Sequence, residues 1–141
     1  MRVGAVLTSA VRAWVHSTLL NSSYTQPLTS DRVFQQGSIL TSQRVKPYLV
    51  HHFGNQTDEG MSDEDNFQPS RQFLQIYMHV DQGDYGPIDE IQPQVKLAMS
   101  TLSGRPAQLA GVQYLETSQD LQDDVLQTYF RYMRYQLILT R

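Results

Sequence analysis

The sequence contains no cysteine. Disulfides, Cys-based zinc sites and thiol catalysis are therefore excluded, although that absence does not fix the compartment. Charge is sparse too: 18% of the 141 residues are charged, and the formal net charge is −3. A mildly acidic balance gives no support for a dominant phosphate-binding surface. No apolar run reaches membrane-spanning length. No acidic residue precedes Asp31, while Arg2 and Arg12 are present. That bias is loosely like a transit peptide. Thr8, Ser9 and Arg12 interrupt any apolar targeting core, however, so a docked amphipathic helix is the preferred reading. Neither a G-x-S-x-G elbow nor a phosphate-cradling Gly-rich loop occurs. The sequons at Asn21 and Asn55 carry no weight without a secretory signal.

What is present is tyrosine, eight against a single tryptophan, with abundant glutamine. Aromatic anchors with polar amides suit a protein-contact surface. Ordinary strand composition accounts for tyrosine equally well. The length fits one domain spanning residues 1–141. A domain of this size buries roughly two-thirds of the surface its unfolded chain exposes, enough for a core without staples.

Periodicity orders the elements. Val3, Val6, Leu7, Ala10, Val11, Trp14 and Leu19 recur at helical spacing, which predicts a helix over 3–19 stopped by Asn21-Ser22-Ser23. Arg32-Val33-Phe34 reads as a short extended piece. Residues 45–54 read as a longer strand, with Pro47 at its start or on an edge because it lacks an N–H donor. Residues 55–70 read as a loop. The clearest strand is 71–81. Leu74, Ile76, Met78 and Val80 lie on one face, Phe73, Gln75, Tyr77 and His79 on the other. A purely aliphatic face opposite an aromatic-polar one is the pattern of a sheet covered by helices on one side only.

A turn at 84–87 precedes a second helix to about Ser103, striped by Ile88, Ile91, Val95, Ala98 and Leu102. Gly104 suits its C-cap, and Pro93 must sit in its first turn or kink it. Residues 111–118 form a strand and 119–124 a polar loop. The last strand, 129–140, is apolar on both faces and is expected to be central or partner-covered. With no internal repeat and no linker, the predicted fold class is α+β, a two-layer sandwich of a mostly antiparallel sheet with two helices packed on one face.

Candidate chemistry is thin. Asp58, Glu59, Asp63, Glu64 and Asp65 make 58–65 the acidic focus of the chain. Their spacing does not follow a calcium loop, so a solvated loop that contacts a partner is preferred to a metal site. A small metal-dependent hydrolase using these carboxylates is the alternative from another class. His51 and His52 are adjacent on a strand and point to opposite faces, so they cannot share a metal. His16 and His79 are far apart in sequence. Arg131 and Arg134 sit among aromatics as YFRYMRY, a pattern that single-stranded nucleic-acid binders use. Their opposite strand faces and the acidic domain favour ion pairing between subunits instead. No catalytic residue, metal or cofactor is assigned.

With these segments in place, the order of motifs resembles the tail terminator family of long-tailed bacteriophages, the tail-completion or minor tail proteins of the neck. The opening helix resembles the family's first helix. DRVFQQG followed by KPYLVHHFG resembles its short strand and Pro-led long strand. RQFLQIYMHVDQGDYGPIDEIQPQVKLAM resembles its strand, turn and helix. YLETSQDLQDDVLQTYFRYMRYQLIL resembles its closing hairpin. The resemblance covers nearly the whole chain, and the acidic 58–65 loop departs from it.

The resemblance implies a non-enzymatic virion protein of the tail or neck, assembled in the host cytoplasm. It implies a hexameric ring that caps the tail tube, stops its polymerisation and meets the head–tail connector protein. DNA would pass through the channel without specific binding, and no membrane is involved. A head-completion or adaptor ring on the portal side is the neighbouring alternative. A closed ring needs two different complementary surfaces on each protomer. Phe73, Tyr77, Tyr132, Tyr135, Arg131 and Arg134 are the candidates for the subunit interface, and the five acidic residues of 58–65 for partner contact.

Overall fold

The computed structural model describes residues 7–29, 32–35, 45–58 and 70–140. Helix α1 spans Ser9–Asn21. It begins later than the hydrophobic spacing predicts, because Thr8 is extended and acts as N-cap, its side-chain oxygen accepting from the Val11 N–H. A hydroxyl in that position satisfies a donor the first turn leaves free. Val3 and Val6, counted toward that stripe, lie outside the described residues. The stop after Asn21 is where the sequence places it. A one-turn helix, α2 (Gln26–Thr29), follows and is too short for any periodic pattern to reveal. Thr25, fully buried, ties it back by donating its hydroxyl to the Leu19 carbonyl at 2.7 Å.

The strands are β1 (Val33–Gln35), β2 (Tyr48–Asp58), β3 (Ser70–Asp81), β4 (Leu109–Thr117), β5 (Leu121–Asp123) and β6 (Thr128–Leu139). They form one sheet in the order β1-β2-β3-β6-β4, with β5 also paired to β6. Among the described strands, only the β1–β2 pair is parallel; the others are antiparallel. Pro47 immediately precedes β2, where its missing donor costs no ladder bond.

Two expectations are corrected here. Residues 55–58 continue β2 rather than opening a loop. The ladder passes an irregularity between Phe53 and Gln56, and the buried Gln72 amide donates to the Gly54 and Phe73 carbonyls at 2.7 and 3.0 Å there. Within the expected 119–124 loop, Leu121–Asp123 pair with β6 as β5, a strand too short and polar to stand out. Strand β6 is central, as its two apolar faces require.

Helix α3 spans Gly86–Ser100, with Pro87 in its first turn and Pro93 in its interior. Pro93 is exposed and removes one intrahelical donor. The helix ends at Thr101, not at Gly104. Leu102 takes the left-handed conformation just beyond (φ 56°), and Gly104 (φ 70°) serves the following turn.

Alternation along β3 and β6 divides the sheet into two faces. Leu74, Ile76, Met78 and Val80 of β3 join Met133, Leu137 and Leu139 of β6, Leu49 of β2 and Val33 of β1. Against them pack Val11, Trp14, Val15 and Leu19 of α1 and Ile88, Ile91, Val95 and Met99 of α3. Both long helices therefore cover the same face, the α+β sandwich read from the sequence. The Trp14 indole N–H donates to the Ser103 carbonyl at 2.9 Å, pinning α1 to the segment that follows α3.

Candidate interface site on the aromatic face of the sheet

The other face carries the rings. Register pairs Tyr48 with His79, and Tyr77 with Tyr132. Because cross-strand partners share a face, these side chains form a continuous ribbon across four strands. Phe34 meets Tyr48 edge-on at 5.9 Å between centroids. Tyr48 stacks on His79 at 4.9 Å, and His79 on Phe130 at 5.1 Å. Tyr77 lies 6.1 Å from Phe130 and 5.4 Å from Tyr132. Offset and tilted pairs at these separations are the arrangement that ring quadrupoles favour.

Burial grades along the ribbon. Tyr48 and His79 are buried, whereas Phe34, Phe73, Tyr77, Phe130 and Tyr132 are half-exposed. Polar groups edge it: the Tyr77 hydroxyl donates to Gln75 Oε1 at 3.0 Å, and Arg71 Nη1 donates to Gln136 Oε1 at 2.9 Å. The Arg134 guanidinium lies 5.1 Å from the Phe73 ring centroid and pairs with Glu116 at 2.9 Å.

Electrostatics keep the ribbon neutral. Burial pushes the His79 imidazole down to about 4; Asp123 opposes this and Lys46 adds to it. Its Nδ1 is 2.8 Å from the Thr128 hydroxyl, itself fully buried. Burial, followed by Tyr132, raises the Tyr77 phenol. At neutral pH the described residues of this face are mainly rings, amides and hydroxyls, with Arg71 and the Arg134–Glu116 and Lys46–Asp81 ion pairs at its margin. This is the composition of a protein-contact surface, and among its described residues there is no activated nucleophile or base.

The structure sorts the residues singled out from the sequence. Phe73, Tyr77, Tyr132 and Arg134 come together on this face. Tyr135 does not. It pairs with Leu74, so alternation turns it toward the helices, where it is 2% exposed and its hydroxyl has no hydrogen-bond partner. Arg131 also lies on the helix side. It bonds to Asp120, to Asp89 at 2.7 Å and to Gln92 at 3.2 Å. Its ion pairs are therefore internal, joining β6 to α3 and to the segment before β5. Asp58 ends β2; Glu59, Asp63, Glu64 and Asp65 lie outside the described residues.

Four members of the ribbon were not singled out: Phe34, Tyr48, His79 and Phe130. For His79 and Phe130, period-two alternation from Tyr77 and Tyr132 is the signal that finds them. Tyr48 needs the β2–β3 register, which sequence does not carry. His51 and His52 occupy opposite faces, as their adjacency requires. The structure also joins a pair the sequence leaves apart: His16 Nδ1 lies 3.0 Å from His51 Nε2. Among the described residues, no group of three or more His, Asp or Glu side chains is placed to hold a metal ion.

No protein-family model matches this sequence, and no curated protein does. A solved structure does resemble the fold. A chain from the virion of a native gene transfer agent (GTA) particle superposes with a TM-score of 0.68 at 14% identity. The match covers 95% of this chain and 100% of that one. At that identity the likeness establishes the fold, which the two chains share over essentially their whole length.

Proposed function

We propose that this chain is a structural protein of a phage-like virion, acting as a ring-forming subunit at the end of the tail. The ring caps the tail tube, halts its polymerisation and joins it to the head connector. The observation that carries this reading is the half-exposed aromatic ribbon of Phe73, Tyr77, Phe130 and Tyr132 on the face opposite the helices. Rings laid side by side on a stiff sheet lose little side-chain entropy on contact, so they suit burial against a neighbour. The end-to-end likeness to a chain of a virion particle adds support from the fold. So does the resemblance of the motif order to that of tail terminators.

A ring closes when one surface of a protomer meets a different surface of the next through a rotation that returns to its start. The ribbon supplies one of those surfaces. The mild net charge of −3 suits a channel that DNA crosses without adhering.

Light scattering coupled to gel filtration, with negative-stain imaging, tests the proposal. The expected species is a discrete ring, either free at high concentration or seated on tube ends. Tyr77→Ala with Tyr132→Ala should remove the ring and leave a folded monomer. A wild-type chain that stays monomeric and never binds tail tubes would overturn the proposal.

A further inference from the structure

A second site lies on the helix-bearing side, at the margin where α1 meets β1 and β2. A cavity of about 240 Å³ is bordered there by Arg12, Ala13, His16, Gln35 and His51. Apart from Ala13, the described residues along it are cationic, titratable or amide, and none of them is a carboxylate. Three of these residues carry groups that an anion can pair with.

Arg12 carries a permanent charge but, among the described residues, no carboxylate pairs with it. Its guanidinium instead lies 4.9 Å from the Phe53 ring centroid. His51 is 2% exposed, and its Nδ1 is buried with no hydrogen-bond partner. An orphaned buried polar atom is costly and calls for a partner. His16 Nδ1 sits 3.0 Å from His51 Nε2. One imidazole of that contact must donate and the other accept. When His51 Nε2 accepts, its Nδ1 carries a proton that needs an acceptor.

We propose that this pocket receives a carboxylate side chain, delivered by the acidic 58–65 segment of a neighbouring copy of this chain. The inference rests on the ring reading for its source of ligand, though not for the pocket itself. Charge complementarity argues for that source. The chain has no acidic residue before Asp31, where Arg12 and His16 lie, and places five carboxylates within 58–65. A planar monoanion matches one guanidinium fork beside one imidazole donor. A phosphate would call for more donors than these.

The start of the acidic segment stands away from the pocket. Asp58 stands seven residues beyond His51 along β2, roughly 20 Å at strand rise. The pocket and the start of the acidic segment therefore occupy separated parts of the protomer, which a head-to-tail ring contact requires. The electrostatics agree with an unfilled receptor. Burial, then His16, then Arg12 hold the His51 imidazole down at about 4. An arriving carboxylate offsets the last two effects and raises it.

The test uses the full chain with Asp58→Asn, Glu59→Gln, Asp63→Asn, Glu64→Gln and Asp65→Asn, so that no internal segment competes. A synthetic peptide of residues 58–65 is added, and the imidazole resonances of His16 and His51 are followed by NMR. The acidic peptide should move both and raise the His51 midpoint by at least one pH unit. A peptide with all five acids replaced by amides should do neither. Arg12→Gln in the receptor should weaken the acidic peptide at least ten-fold. Equal response to the amide peptide, an unchanged affinity in Arg12→Gln, or a stronger response to inorganic phosphate at matched ionic strength overturns the proposal.

A second measurement uses charge reversal. Arg12→Glu should disrupt assembly of the otherwise wild-type chain, and adding Asp63→Lys with Glu64→Lys should restore it. Failure of the swap to restore assembly counts against delivery between copies. Peptide binding by a chain that never forms a ring would retain the pocket and dismiss the ring.

Discussion

The two faces of the sheet come from the same strands yet are built from different chemistry. On β3, Leu74, Ile76, Met78 and Val80 are at most 1% exposed beneath the helices. One residue away in each case, Phe73, Gln75 and Tyr77 remain half-exposed. The inner face is aliphatic because it must be filled by branched and flexible side chains interdigitating with two helices. The outer face uses flat rings and amides, which tolerate water and still bury well against a partner. The contrast separates what holds the fold together from the surface proposed for recognition.

The largest expected effect breaks that contrast directly. Ile76→Ala on the inner face should cost about 2–5 kcal/mol, the range for a buried aliphatic truncation that leaves a cavity. Tyr132→Ala, its half-exposed counterpart on the outer face, should cost well under half of that in urea denaturation. It should nevertheless abolish ring formation measured by light scattering. If Tyr132→Ala destabilised the monomer as severely as Ile76→Ala, the ribbon would be a second core rather than a contact surface.

Next in size is a pH effect belonging to the buried end of the ribbon. A free histidine titrates near 6.5, whereas His79 in the fold titrates at about 4. A folded pKa lying below the unfolded one means that the unfolded chain binds more protons between those values. Stability is then fully present above about pH 6.5 and is lost as pH falls toward 4. The loss from His79 is on the order of 3 kcal/mol at most. His51, also held at about 4, adds to it in the same window. Thermal unfolding as a function of pH should show this decline. His79→Phe should make it shallower, leaving the part due to His51, at a cost of about 1 kcal/mol at pH 7 for the lost bond to Thr128.

Much of the two-faced plan was legible because a strand's side-chain period is strict. The alternation in 71–81 alone identified the helix-covered side and placed Phe73 and Tyr77 on the other. It also placed Arg131 and Arg134 on opposite faces of the last strand. What it could not supply was register. Tyr135 belongs to the inner face because it pairs with Leu74, and Arg131 finds Asp89 because β6 runs beside β3 beneath α3. The end of β2 was hidden for a different reason. Residues 55–58 are polar, and their ladder resumes only after an irregularity that Gln72 bridges. Short elements such as α2 and β5 have too few residues for any period to show.

The smallest expected effects come from those two arginines, and their difference restates the contrast in charge. Arg131 is the more enclosed, its side chain 16% exposed and bonded to Asp89 of α3 and to Asp120 just before β5. Arg131→Met should cost about 1–2 kcal/mol, since a network holding β6 to α3 is lost and the Asp89 and Asp120 carboxylates lose their partner. Arg134 pairs with Glu116 on the outer face, with side chains 34% and 58% exposed. Exposed pairs of this kind contribute between nothing and about 1 kcal/mol, and salt screens them. Arg134→Ala should therefore change monomer stability by less than about 0.5 kcal/mol, a difference that vanishes in 1 M salt. Its effect should appear in assembly instead, because the guanidinium roofs Phe73 at the edge of the ribbon. A chain that loses Arg134 without any change in ring formation would confine the contact surface to the tyrosine end, around Tyr77 and Tyr132.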